Sequence, residues 1–286
     1  VAVRAVLQIC HGVAEHIARY DGFARALNEQ GIVVAGHDHL GHGKSLPEDG
    51  TPVYFGEGNT WNTVVDDIYV LHQRLKQRYP DVPLCIMGHS MGSFLTRTYL
   101  IRYPGTVKAA VIMGTGWQPR AAITGGLALA NAIAAVSGEN ATSELVTELA
   151  FGSYNKLFAP NRTKVDWLSA DESNVDDYIA DPLCGADATV GLFRQMLHGI
   201  RFNQRQSHLR QMDKQMPVLF VAGDKDPVGS CGKGVRQTYD AFRAAGMRDC
   251  TLKLYPGLRH EILNEKAYAA DITKDIEAWL LSRLEK

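Results

Sequence analysis

Gly88-His89-Ser90-Met91-Gly92 places a serine hydroxyl between two glycines. This G-x-S-x-G pattern suits a nucleophile carried on a tight strand-to-helix turn. Serine alone is a poor nucleophile, so the chemistry needs a base within hydrogen-bond reach and an acid that orients the base. His260, in Pro256-Gly257-Leu258-Arg259-His260, and Asp226, in Gly223-Asp224-Lys225-Asp226-Pro227, supply those types in the order serine, acid, histidine. Asp224 competes for the acid role. It sits tight against a strand end and is expected to brace the turn, whereas Asp226 lies further out and can reach an imidazole. A chance glycine-serine pattern and a surface histidine are the competing readings, and the strand-end setting of both segments weighs against them.

His11-Gly12-Val13-Ala14 follows another apolar run. A His-Gly pair there leads into a backbone amide suited to an oxyanion, and the residue after the nucleophile supplies a second. The expected donors are the N–H groups of Val13 and Met91. The His11 side chain reads as a structural loop residue. His37, His39 and His42 have a spacing close to H-x-H-x-D-H, but Gly41 stands where the aspartate would be. That stretch reads instead as a glycine-rich loop with no metal. No Walker-type or G-x-G-x-x-G loop is present, so no nucleotide cofactor is implied.

These residues need a scaffold, and the apolar pattern describes one. Val3–Cys10, Ile32–Ala35, Leu84–Met87 and Val107–Met113 are strand-like, alternating with helical patterns over Ile17–Gln30, Val64–Tyr79 and Met91–Arg102. Strands alternating with helices imply a parallel sheet covered on both faces. The alternation breaks over Gly116–Gln215. It resumes with strands at Val218–Ala222 and Thr251–Tyr255, a helix at Lys233–Ala245, and a closing amphipathic helix at Ala267–Leu284. The expected division is a core of residues 1–115 and 216–286 with a cap, or lid, inserted at 116–215 over the carboxyl ends of the strands.

The 286 residues are 45% hydrophobic and 21% charged, with net charge −1 from 30 basic and 31 acidic residues. No basic tract marks a nucleic-acid surface. Five scattered cysteines without a C-x-x-C fit a reducing compartment, the cytoplasm. The chain begins at Val1, inside an apolar run, so a further N-terminal segment is expected upstream. Ala121–Val136 is too short and glycine-interrupted to span a bilayer comfortably. It is expected to pack on the core, line an acyl tunnel or rest on a lipid surface. Asn140-Ala141-Thr142 and Asn161-Arg162-Thr163 match glycosylation sequons, which mean little without secretion.

Taken together, His11-Gly12-x-x-Glu15-His16-x-x-Arg19-Tyr20, His37-Asp38-x-x-Gly41-His42-Gly43-x-Ser45, Gly88-His89-Ser90-Met91-Gly92 and Tyr255-Pro256-Gly257-x-x-His260-Glu261 resemble the monoacylglycerol lipase and lysophospholipase family. The resemblance covers nearly the whole chain. It implies an α/β-hydrolase fold, a Ser90–Asp226–His260 triad, no cofactor, a lipophilic ester substrate, and a cap after the family's sixth strand that contacts a lipid surface transiently. It also implies two strands ahead of Val3–Cys10, for which the chain has no room. Glu15 and Arg19 match the family's head-group pocket; four residues apart, they could equally form a structural ion pair. Animal monoacylglycerol lipases carry a further histidine shortly after the catalytic one, whereas Glu261-Ile262-Leu263-Asn264 follows here, which leaves glycerol recognition open. A short-chain esterase, a small-amide peptidase and a non-catalytic binding protein are the alternatives. Epoxide hydrolases and dehalogenases carry aspartate at the Ser90 position.

Overall fold

The computed structural model describes residues 2–284. Its six strands are β1 (Ala5–Cys10), β2 (Ile32–Gly36), β3 (Leu84–His89), β4 (Ala110–Met113), β5 (Val218–Gly223) and β6 (Cys250–Tyr255). They form one parallel sheet in the order β2-β1-β3-β4-β5-β6. Strands β1, β3, β4 and β5 are buried at every residue, because helices cover both faces and leave no position for a polar side.

Helices α1 (Asp21–Glu29), α2 (Thr60–Arg78) and α3 (Met91–Arg102) follow the first three strands, and α10 (Lys233–Ala244) and α11 (Ala269–Leu284) follow β5 and β6. α1 turns Phe23 and Leu27 inward, each worth about 1.5–3 kcal/mol on burial. The single helix expected over Ile17–Gln30 is a 3₁₀ turn, Ile17–Tyr20, leading into α1. α3 is buried along almost its whole length and so has no polar face.

Between β4 and β5 lie six helices: α4 (Arg120–Ser137), α5 (Glu144–Thr147), α6 (Ser153–Lys156), α7 (Glu172–Ala180), α8 (Val190–Asn203) and α9 (Gln206–Leu209). The glycine pair in α4 does not interrupt it. Gly126 lies where a Cβ would meet Leu197 Cδ1 at 2.8 Å, so its bareness lets α4 approach α8. α4 is long and apolar enough to cross a membrane by length and composition, and only 17% of it is buried.

Candidate active site

Ser90 follows β3 directly and opens α3. Its φ of 55° and ψ of −123° lie in a region that side-chain-bearing residues rarely adopt, a strain held by the surrounding packing. The flanking glycines make the turn possible. A Cβ on Gly88 would lie 2.2 Å from the Gly92 carbonyl oxygen, and one on Gly92 would lie 2.0 Å from that of Cys10. Ser90 N–H donates to Met113 O at 3.1 Å, fixing the turn to the end of β4.

Asp226 and His260 come from the turns after β5 and β6. Asp226 Oδ1 lies 3.0 Å from His260 Nδ1 and accepts the Val228 N–H at 2.9 Å, and both side chains are buried. A carboxylate only accepts, so Nδ1 donates to it, and in a neutral imidazole so oriented Nε2 is the nitrogen that can accept a proton. Asp224 accepts the Gly257 N–H at 2.8 Å instead, joining the turns after β5 and β6. Gly223 lets these turns touch, since a Cβ there would lie 2.0 Å from the Leu258 carbonyl oxygen.

A Cβ on Gly114, one residue beyond the Ser90 anchor, would lie 3.1 Å from His260 Cε1, so the imidazole borders the nucleophile's turn. The Ser90 hydroxyl has no hydrogen-bond partner among the described residues.

The loop after β1 is fixed through His11. Its Nε2 accepts the His39 N–H at 2.9 Å, so Nδ1 must be the protonated nitrogen, and it donates to Gly12 O at 2.8 Å. In a planar trans peptide the next N–H points opposite that carbonyl, so Val13 N–H is turned away from His11. Val13 N–H has no partner among the described residues, and Met91 stands at the start of α3, where an amide lacks an intrahelical acceptor. Gly12 brings this loop against the nucleophile: a Cβ there would lie 3.1 Å from Ser90 Cβ.

Glu15 and Arg19 do form a pair, at 3.0 Å, but their polar atoms are taken up by protein groups. Glu15 Oε1 accepts the Gly12 N–H at 2.5 Å and the Tyr20 hydroxyl at 2.9 Å. Arg19 forks onto Glu261 at 2.5 and 2.8 Å. Of the two readings, the structural ion pair is the one this geometry displays: Glu15 is buried, Arg19 is half-buried, and their bonds brace the loop after β1. Burial alone would raise the Glu15 carboxyl, yet the His89 hydrogen bond and the Arg19 charge hold it well below the usual range.

Several residues at the site carried no role in the sequence reading. His89 Nδ1 lies 2.9 Å from the Tyr20 hydroxyl, and Nε2 donates to His260 O at 3.2 Å. Burial disfavours its charged form, but the bond to Glu15 and the Glu15 charge outweigh burial and raise its pKa. Trp167, from a 3₁₀ turn at Asp166–Leu168, lays its ring 5.1 Å from that of His260. Tyr20 and Glu261 stood in the motifs quoted above. Nothing local marked Trp167.

His11, His37, His39 and His42 cluster behind the loop, with His11 and His39 ring centroids 4.2 Å apart. Burial lowers the pKa of all four; His42 adds to the effect at His11, which falls to about 4. A separate grouping has metal-ligand types: His16, Asp181 and Cys184 place ligand atoms within 4.8 Å of one another. There His16 and Asp181 already bond each other at 2.8 Å, and burial pushes the Cys184 thiol up to about 12.

The parallel sheet, its covering helices and the long insertion after β4 define an α/β-hydrolase. A profile described as "Serine aminopeptidase, S33" matches residues 1–267. The chain belongs to the monoacylglycerol lipase family of α/β-hydrolases, and it is a hydrolase. It is 31% identical over 286 residues to the monoacylglycerol lipase of Mycolicibacterium smegmatis, covering 98% of this chain and 89% of that one. With the monoglyceride lipase of Homo sapiens it shares 26% identity over 98% of this chain and 83% of the other. The crystal structure of a carboxyl esterase from Bacillus coagulans in complex with glycerol superposes with a TM-score of 0.92 at 26% identity, covering 99% and 91% of the two chains.

Proposed function

We propose that this protein hydrolyses carboxylic esters with a lipophilic acyl group, monoacylglycerols or lysophospholipids, through an acyl-enzyme. Ser90 attacks the ester carbonyl while His260 Nε2 takes the hydroxyl proton. Asp226 holds the imidazole by its Nδ1–H and stabilises the imidazolium. The N–H groups of Val13 and Met91 receive the oxyanion, each worth about 3–4 kcal/mol to the transition state. His260 then returns its proton to the leaving alcohol, and a water activated by the same nitrogen releases the fatty acid. The chemistry requires no cofactor. The observation that carries this reading is the buried 3.0 Å Asp226–His260 pair beside a serine in a strained turn.

Residues 116–215 act as the cap over a core of residues 1–115 and 216–286. Ser90 is only 9% exposed, so substrate enters past the cap. Val136, Leu149 and Leu157, exposed at 88%, 63% and 61%, give the cap an apolar outer surface suited to a lipid interface. Free thiols at Cys10, Cys85, Cys184, Cys231 and Cys250 support a cytoplasmic location.

The test is a profile of kcat/KM over monoacylglycerols and lysophospholipids of graded acyl length, with aminoacyl amides alongside. Each buried methylene is worth about 0.8 kcal/mol, so the profile should rise with chain length until the acyl site is full. A profile that is flat or falling from the shortest esters, or faster turnover of the amides, would replace this reading with a short-chain esterase or a peptidase.

A further inference from the structure

The loop carrying His260 is held by the insertion as well as by the sheet. The 3₁₀ turn Asp166–Leu168 and the two residues after it lie along this loop. Leu168 O accepts both the His260 N–H at 3.0 Å and the Glu261 N–H at 2.8 Å. Arg259, one residue before the imidazole, donates through a single nitrogen to Asp166 O at 2.5 Å and Ser169 O at 3.0 Å. It pairs with no carboxylate among the described residues; its cation serves the two carbonyls and lies over the Phe158 ring at 4.0 Å, all of them groups of the insertion. On the other side of His260, Glu261 Oε2 accepts the Asn174 side-chain amide of α7 at 2.8 Å. Further along, Glu265 Oε1 accepts the Ala170 N–H at 2.8 Å. Contacts from the insertion thus bracket the histidine at 259, 260, 261 and 265.

We propose that Arg259 and Asn174 are positioning residues, which hold His260 in its reactive place by clasping its loop to the insertion. The proposal rests on His260 being the base, as read above. Asp226 fixes one ring nitrogen and the Trp167 and His89 rings pack against the imidazole, with centroids 5.1 and 4.6 Å away. The backbone clasp fixes the main chain from which the ring projects. A charged donor bridging two carbonyls is among the stronger hydrogen-bond arrangements, and a base displaced by about 1 Å loses on the order of 10²-fold in rate. Neither side chain takes part in the proton transfers, so both act through His260.

The experiment compares Arg259→Met, Arg259→Lys, Asn174→Ala and His260→Ala on a soluble ester, measuring kcat, KM and melting temperature. Arg259→Met should lower kcat by on the order of 10- to 100-fold with KM within about twofold. Arg259→Lys, which keeps a cationic donor on a shorter side chain, should recover part of that loss. Asn174→Ala, which leaves Arg19 on Glu261, should lower kcat a few-fold, and it carries the test alone if Arg259→Met does not fold. Folded variants with kcat within twofold of the parent, or with a change in KM alone, would overturn the proposal. So would a fall in melting temperature with kcat retained well below melting, because that marks a purely structural role. His260→Ala separates the two levels. If it stays active, the triad reading itself has failed; if it is inactive while Arg259→Met is unimpaired, the triad stands and the clasp does not.

Discussion

The two halves of the insertion are built on opposite principles. Residues 166–174 bury Asp166, Trp167, Leu168, Ser169 and Asn174 and join the His260 loop by backbone and charged hydrogen bonds. Residues 120–157 turn only Ile123, Leu127 and Ala130 of α4 inward and leave Val136, Leu145, Leu149 and Leu157 exposed. Hydrogen bonds are directional, so the first half has one arrangement against the core. Apolar contacts are not directional, so the second half can exchange one apolar partner for another. One polypeptide segment therefore joins a hydrogen-bonded hold on the His260 loop to an exposed apolar surface, the one proposed above to meet lipid.

The sharpest contrast is in stability. Trp167→Ala should remove about 3–5 kcal/mol, read as a shift in the urea midpoint, whereas Val136→Asp should stay within about 0.5 kcal/mol. Equal losses would erase the distinction between the halves.

Acid should act on the loop side of the site before it reaches the apolar half. His11, His37, His39 and His42 have folded-state pKa values below 6.5, that of His11 about 4, so the unfolded chain binds protons that the folded one refuses. Stability should therefore fall as pH drops from about 6.5 towards 4, followed by thermal melting at constant ionic strength. Glu15 has a depressed carboxyl pKa and adds a separate loss, which begins only as pH falls below its unfolded value of about 4.5. A His11→Asn variant should lose part of the dependence between pH 6.5 and 4 and none of that below it.

The smallest effect should come from the exposed surface. Val136→Asp combined with Leu149→Asp should lower turnover of a vesicle-borne ester several-fold, since each replaces apolar contact area with a charge. Turnover of a dissolved short ester should not change. Loss on both substrates would place these residues in the fold and not at an interface.

How much of this could be read from residues alone follows a physical divide. Ser90, Asp226 and His260 each stand after an apolar run, and a strand end is a local pattern. The glycines beside Ser90 were legible for the same reason, since close backbone approach permits little else. The clasp was hidden because Leu168, Asp166 and Ser169 contribute carbonyl oxygens, which every residue possesses. The role of Glu15 was equally hidden: its spacing to Arg19 suggested a pair, but only the fold shows Gly12 N–H and Glu261 completing it. Gly125-Gly126 misled in the other direction, because a glycine that looks like a helix break is tolerated where a neighbouring helix must come close.

The central claim is that the Ser90 hydroxyl becomes a nucleophile because His260, held by Asp226, takes its proton. The most direct measurement is intact mass of the folded protein after exposure to a fluorophosphonate, with peptide mapping, for the parent chain, Ser90→Ala and His260→Ala. The account predicts one adduct on Ser90 in the parent, none in Ser90→Ala, and labelling slowed by at least about 10³-fold in His260→Ala. An unlabelled parent, an adduct on another residue, or undiminished labelling without the imidazole would contradict it.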